Sequence, residues 1–220
     1  MLALAERCLW VTAALSVLLQ ASASPILDYS GEEQSSEDPS SKPLPTRYSQ
    51  LRNCVRLAKE LRNRASQLWK KELCEKQTIC QNNTEILSQN NLRFPKITTQ
   101  DECPPHGFNK ERCLRGISSG LYAYQAFLEY INKTFISEEQ KTAPLWLKTK
   151  ELAHTLQSMT NTPDTVTMPS PDTQEALSTQ LHRQTGWNRK VIHYLILQDY
   201  VLFMQKTIWT IRGLIEIGWE

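Results

Sequence analysis

The sequence lacks the motifs from which most enzyme sites are built. It contains no nucleophile elbow, no glycine loop that would cradle a phosphate and no helical pair of metal ligands. Its carboxylates are dispersed over polar positions, and its four histidines are scattered along the chain. We therefore expect a protein that is not an enzyme, with no catalytic residue, no metal site and no cofactor.

A strong excess of charge of one sign is also missing. The formal net charge is only +2, so the composition indicates no nucleic-acid partner. The distribution is uneven, because residues 24–45 are acidic and rich in Ser and Pro, which predicts a disordered tail. The segment that follows has a basic face, which indicates a solvated surface or, alternatively, a contact with a receptor or a heparan-type chain.

Long hydrophobic runs are absent except near the N-terminus. Arg7 precedes an apolar run from Cys8 to Leu19, and Ala21-Ser22-Ala23 follows as a small-residue cleavage site. A dozen helical residues reach only ~18 Å, well short of the ~30 Å hydrocarbon core of a bilayer. We predict that residues 1–23 are a secretory signal peptide, with an uncleaved signal anchor as the alternative. The mature chain is then extracellular, without membrane insertion, and residues 46–220 form one domain.

Cysteine is sparse, with six residues in the whole chain. Cys8 leaves with the signal peptide, and in an oxidising compartment an even subset of the remaining five should pair. The short spacings predict two local disulfides, Cys74 with Cys80 and Cys103 with Cys113. Cys54 falls in the apolar stripe of a helix and is predicted to be a buried free thiol, with intermolecular pairing as the alternative.

Apolar residues recur in steps of three and four over four long segments, which predicts an all-α protein. The third segment begins at Pro144, a residue that suits the first turn of a helix. The predicted helices span about 47–73, 111–136, 144–159 and 187–214.

A short extra helix is predicted before the fourth long helix. The periodic pattern extends upstream to Asp172, with Glu175 placed as in a capping box. A single helix from Asp172 to Leu214 would be ~63 Å long, too long for the other helices to cover. Thr185-Gly186 is the natural interruption.

The lengths of the connections predict the topology. The first and last connections are long, about forty and twenty-five residues, whereas the middle one has about eight. Short links join antiparallel neighbours, and two long crossover loops permit an up-up-down-down four-helix bundle.

The most specific signature surrounds the last two cysteines. It consists of Cys103, Cys113, Gly120, Leu121, Tyr124 and Leu128 at fixed spacing. This pattern resembles the signature of the family of interleukin-6, granulocyte colony-stimulating factor and myelomonocytic growth factor. Shorter segments are most similar to the interleukin-6 members of that family: Asn91-Leu92, Phe94-Pro95-Lys96, Gly107-Phe108-Asn109, Phe127-Leu128-Glu129-Tyr130 and Leu195-Ile196-Leu197.

The resemblance implies a long-chain cytokine bundle that acts through receptors. Such cytokines use three surfaces, one for a specific α-receptor and two for copies of a shared signal-transducing receptor chain, and the assembled complex triggers JAK/STAT signalling in immune and acute-phase responses. Phe108 matches an aromatic residue that helps to bind the α-receptor, and Trp187 matches a tryptophan that engages the second signalling chain. The alternatives are that Phe108 packs its own loop and that Trp187 caps the bundle.

The end of the fourth helix departs from the family pattern. The family's last helix ends with arginines that contact the α-receptor, whereas Lys206 and Arg212 are the only basic residues here after Lys190. Lys206 and Arg212 are therefore the candidates for that contact.

Two other functions fit parts of the sequence. The first is a haematopoietic growth factor like granulocyte colony-stimulating factor, from the same family. The second is a secreted bundle that carries a lipid, which the very apolar fourth helix suggests.

Smaller features complete the expectations. Asn82 and Asn132 begin glycosylation sequons. Gly116 and Gly120 indicate close packing on the second helix, and His193 is more consistent with a packed residue than with a ligand.

Overall fold

The computed structural model describes residues 46–75, 92–136 and 144–218, and every regular element in these ranges is helical. The predicted signal peptide and acidic tail lie outside them. Four long helices, α1 (Arg47–Gln67), α2 (Lys110–Thr134), α3 (Leu145–Ser158) and α5 (Gly186–Glu216), are present with the short helix α4 (Pro171–His182). A π-helix, Leu68–Glu75, continues α1, and single 3₁₀ turns span Thr99–Asp101 and Pro163–Thr165.

The first helix changes character near its end, which the sequence pattern did not predict. It begins where the Thr46 hydroxyl accepts a hydrogen bond from the Ser49 amide. From Leu68 onward the turns are π-helical rather than α-helical. Trp69 packs against the core, and Leu73, four positions on, is fully buried. The apolar side of the chain therefore continues to face the core through the π-helical turns.

The middle helices form at the expected places with different caps. Asn109 caps α2 by accepting from the Arg112 amide. Pro144 is the residue that precedes α3 and not a member of its first turn. The predicted capping box at Asp172 is wrong: Ser170 caps α4, and Pro171 occupies the first helical position.

The predicted interruption before the last long helix is confirmed. Helix α4 ends at His182, and α5 starts at Gly186 after Thr185 in extended conformation. Gly186 has a φ of +52°, a left-handed conformation that favours glycine. The chain thus turns here, and α4 and α5 remain separate helices.

Contacts between the helices give their directions. Helices α1 and α5 are antiparallel, because Arg62 of α1 binds Gln205, while Trp69 of the π-helix that continues α1 contacts the ring of Tyr194, nearer the start of α5. Helices α2 and α5 are also antiparallel, since Thr134 meets His193 and Tyr124 meets Phe203. Glu111, at the start of α2, accepts a hydrogen bond from the Thr162 amide just after α3, so α3 runs back along α2. The bundle is therefore up-up-down-down.

The core is centred on the ring of Tyr124 in α2. This ring lies 5.2 Å from that of Tyr200 and 5.1 Å from that of Phe203, both on α5. Phe94, from the first long connection, stacks on the outer side at 6.4 Å. Gly120 permits this contact between α2 and α5, because a Cβ there would come within 2.6 Å of Phe203. The close packing predicted for Gly120 is confirmed.

One hollow of about 1030 Å³ lies over α2, between the two long connections. It is an open groove, and its floor consists of the small residues Gly116, Ser119, Gly120 and Ala123. Arg93, Lys96, Arg112 and Arg115 stand along its sides. A groove with this lining does not suit a lipid tail.

Candidate receptor-binding surfaces

The loop that carries Phe108 is closed by several constraints. The predicted disulfide between Cys103 and Cys113 is present, with Cα atoms 4.9 Å apart. Glu102, just before the ring, accepts a hydrogen bond from the Asn109 amide at its carbonyl, at 3.0 Å, and its carboxylate forms an ion pair with Arg112. The backbone from Glu102 to the start of α2 is therefore held from both sides.

Phe108 itself points largely into solvent. Its side chain is 48% exposed, and the cationic Nζ of Lys110 lies 5.6 Å from the centroid of its ring. An aromatic ring with half of its surface exposed is available to a partner. The alternative role of Phe108 is to pack its own loop. This role is poorly supported, because only about half of the side chain is buried.

The same loop lies against the C-terminal part of α5. A Cβ added at Gly213 would lie 3.0 Å from the Cβ of Pro104, so glycine permits the close approach of helix and loop. Lys110 donates a hydrogen bond from Nζ to the Gly218 carbonyl at 2.8 Å. Arg212, next to Gly213, is exposed, and these contacts bring it to the same end of the bundle as Phe108.

Helix α5 also has an exposed apolar face that the sequence reasoning missed. Leu202 is 55% exposed and Trp209 is 62% exposed. Lys206 and Arg212, both exposed, follow the same steps of three and four residues along the helix. The helical steps in the sequence already indicate this face. The buried side of the helix consists of residues 203, 204, 207, 208 and 211, which leaves residues 202, 206 and 209 outside. The high apolar content of the whole helix obscures this face.

Trp187 lies at the opposite end of α5. It follows Gly186 in the first turn of the helix, and its side chain is 50% exposed. The 25 positions from Trp187 to Arg212 correspond to roughly 38 Å along the helix axis. The structure thus separates Trp187 from Phe108, Lys206 and Arg212, which belong to the other half of the molecule.

A packed aromatic cluster lies at the same end as Trp187. The His193 ring is buried with centroids 5.4 Å from Tyr130 and 5.0 Å from Phe135. Its Nε2 is 2.9 Å from the Thr134 hydroxyl. Burial, and to a lesser extent the positive charge of Arg189, lower the pKa of His193 from 6.5 to about 4. His193 is therefore a neutral, packed residue at physiological pH, as expected.

The other cysteines behave differently from one another. Cys54 is free and buried, as predicted, and burial raises the pKa of its thiol to about 11, so it is an unreactive side chain. Cys74 is disulfide-bonded, while its predicted partner Cys80 lies outside the described residues. The pairing of Cys74 with Cys80 stays a prediction.

The two glycosylation sequons have different surroundings. Asn82 lies outside the described residues. Asn132 lies in the last turn of α2 with its Oδ1 buried, and the Thr134 hydroxyl of its sequon donates to the Tyr130 carbonyl at 2.7 Å. Glycan occupancy at both positions stays a prediction.

Two further findings concern the described part of the chain. Over residues 46–75, 92–136 and 144–218, histidines, cysteines and carboxylates form no group of three or more that would suit a metal ion. Across the same ranges, none of the helices combines the length and the apolar character needed to cross a bilayer.

Comparison with known proteins places this architecture in context. The model of the Interleukin-6/G-CSF/MGF family matches residues 25–214. Interleukin-6 of Gallus gallus is 43% identical over 164 residues, which cover 74% of this chain and 68% of that protein. Interleukin-6 of Phoca vitulina is 31% identical over 196 residues, which cover 89% of this chain and 92% of that protein.

A solved structure supports the fold. A chain in a crystal structure of a cytokine/receptor complex superimposes with a TM-score of 0.63 at 19% identity, and the match covers 74% of this chain and 98% of that chain. At this identity the likeness concerns the helical bundle alone.

Proposed function

This chain belongs to the Interleukin-6/G-CSF/MGF family, and on that premise we propose that it binds an α-receptor through one end of the bundle and a shared signalling chain through the other. As a member of this family it is a secreted cytokine that binds receptors and does not act as an enzyme. The proposal concerns which receptors it binds, and through which residues.

The observation that carries the proposal is the placement of two exposed aromatic side chains. Phe108 and Trp187 are 48% and 50% exposed, and the length of α5 lies between them. Aromatic side chains make effective anchors, because they bury a large area at a low cost in conformational entropy. Two anchors this far apart leave room for two receptor chains on one bundle.

The α-receptor surface consists of Phe108 and the exposed face of α5. Lys206 and Arg212 supply positive charge, although the chain has fewer basic residues here than its family. Leu202 and Trp209 lie between and beside them and add apolar area. This surface joins an apolar centre to a cationic rim, a combination common in protein interfaces.

Trp187 marks the surface for the second signalling chain. Its exposure argues against a role in capping the core, and its position in the first turn of α5 keeps its backbone rigid. Recruitment of that chain, after binding of the α-receptor, triggers JAK/STAT signalling in immune and acute-phase responses. A growth factor like granulocyte colony-stimulating factor remains the alternative within the family.

Reciprocal substitutions test the two surfaces. Phe108→Ala is expected to weaken α-receptor binding by about 2 kcal/mol or more, roughly thirtyfold. Trp187→Ala is expected to leave α-receptor binding and thermal unfolding unchanged, yet to abolish phosphorylation of the downstream transcription factor in responsive cells. Titration with purified receptor ectodomains measures the first effect, and a phosphorylation assay measures the second.

Met168→Ala is the matched control, since Met168 is 56% exposed and lies on neither surface. It should change none of these measurements. Unfolding of the Trp187→Ala variant, or intact signalling by it, would show that Trp187 has no interface role. Capture of a signalling chain with equal affinity in the absence of any α-receptor would favour the growth-factor alternative.

A further inference from the structure

Lys110, the first residue of α2, contacts two parts of the chain that are distant in sequence. Its Nζ lies 5.6 Å from the centroid of the Phe108 ring. The same atom donates a hydrogen bond of 2.8 Å to the Gly218 carbonyl, 108 residues away. The ammonium group therefore joins the loop that carries Phe108 to the segment that follows α5.

The exposed ring of Phe108 needs such a contact. The disulfide and the hydrogen bond between Asn109 and Glu102 hold the loop backbone, but they do not restrain the Phe108 side chain. With half of its surface exposed, the ring receives little restraint from packing. An ammonium group within about 6 Å of the ring is attracted by the negative face of the π system. Lys110 is placed to limit the movement of the ring.

The geometry of the chain after α5 fixes the ammonium group in turn. Gly218 has a φ of +86°, a conformation that residues with a Cβ adopt only with strain. This turn presents the Gly218 carbonyl to Lys110. Gly213 lies five residues before Gly218. Its contact with Pro104 holds α5 against the same loop.

We propose that Lys110, anchored by the Gly218 carbonyl, is a positioning residue that holds the Phe108 ring ready for the α-receptor. The inference rests on the proposed function, because it assumes that Phe108 binds that receptor. It also assigns a role to the segment after α5, because the Gly218 carbonyl holds Lys110 in place. An ordered ring loses less conformational entropy on binding, so the contact with Lys110 should raise the affinity for the α-receptor.

The test measures α-receptor affinity for Lys110→Met in two backgrounds. Methionine keeps a flexible apolar stem and removes the charge. In the otherwise unchanged protein, the loss of a cation–π contact at an exposed site predicts an approximately two- to fivefold rise in Kd. In the Phe108→Ala background, Lys110→Met should have no further effect, because a positioning residue acts only through the ring. Lys133→Met, at an exposed lysine in the last turn of α2, is the matched control.

Gly218→Ala supplies a second, independent variant. The added Cβ meets nothing within 4 Å, so its effect is confined to the backbone turn. It should weaken α-receptor binding to a similar extent, and the double variant with Lys110→Met should be no weaker than either single variant. Binding of the second signalling chain to the preformed complex should stay unchanged in all of them.

Four results would overturn the inference. If Lys110→Met weakens binding equally with and without Phe108, Lys110 contacts the receptor directly. No change in Kd for Lys110→Met, or full additivity with Gly218→Ala, would show that the two residues do not act together. Phe108→Ala without any loss of affinity would instead overturn the proposed α-receptor surface itself, and the inference with it.

Discussion

The two ends of the bundle expose an aromatic ring by opposite means. At the Phe108 end, a disulfide ring, a turn and an ammonium group hold a loop that buries little apolar surface. At the Trp187 end, a helix begins over a packed cluster of Tyr130, Phe135 and His193. Covalent and polar constraints hold the backbone in place at the first end, and side-chain packing holds it at the second. The two ends should therefore respond differently to oxidation state and to pH.

Removal of the disulfide should produce the largest effect and confine it to one end. Closure of a ring of this size is worth about 2–3 kcal/mol in the chain-entropy treatment. Cys103→Ala with Cys113→Ala is expected to lower the melting temperature by about 4–10 °C and to weaken α-receptor binding. Calorimetry and receptor titration measure these effects.

Hydrogen exchange tests whether the effect stays local. Amides of residues 103–109 should exchange faster in the double variant, whereas those in the first turns of α5 should not change. Equal acceleration at both ends would mean that the disulfide stabilises the whole bundle rather than the Phe108 loop.

Acid should act on the other end through His193. Its pKa is lowered from 6.5 to about 4 in the folded protein, so between these values the unfolded chain binds a proton that the folded chain does not. Stability from this residue is complete above pH 6.5 and is lost as the pH falls, until the loss levels off below about 4. The whole loss is at most about 3 kcal/mol.

The measurement is the free energy of unfolding against pH, compared between the unchanged protein and His193→Gln. The difference in slope between pH 4 and 6.5 isolates His193 from the carboxylates that also titrate there. His154→Gln, on the exposed side of α3, is the control for the loss of a histidine. Identical slopes for all three proteins would show that His193 titrates normally.

The smallest expected effect concerns the contact between α5 and the Phe108 loop. In Gly213→Ala the gain in helix propensity, up to about 1 kcal/mol, opposes a Cβ contact of 3.0 Å with Pro104. The net change in the free energy of unfolding should be below about 1 kcal/mol, while displacement of the loop weakens α-receptor binding. A variant with both properties unchanged would show that this close approach has no functional consequence.

Features that depend on near neighbours in sequence were predictable. The long helices fall close to their predicted bounds, the interruption before Gly186 is confirmed, and Cys54 is the buried free thiol that its helical stripe indicated. The local ring from Cys103 to Cys113 is also confirmed. Helical periodicity and short-range pairing operate over three to ten residues, so the sequence displays them directly.

The errors occur where two local signals compete. Ser170-Pro171 and Asp172 both suit the start of a helix, and the serine is the cap because proline fits the first helical position. The π-helix after Gln67 was not predicted, because Ala65, Trp69 and Leu73 continue the four-residue steps of an α-helix.

The sequence alone determined the number of long helices, their order, and the topology that two long connections permit. It also marked Phe108 and Trp187, through resemblance to a family. Only the tertiary structure decided that Leu202 and Trp209 face outward, that the Phe108 loop lies against Gly213, and that Lys110 meets a carbonyl 108 residues away. The physical reason is that the steps along α5 place Leu202 and Trp209 on one face with Lys206 and Arg212, but do not show whether a neighbour covers that face. Which side is covered depends on the neighbours that arrive from distant parts of the chain.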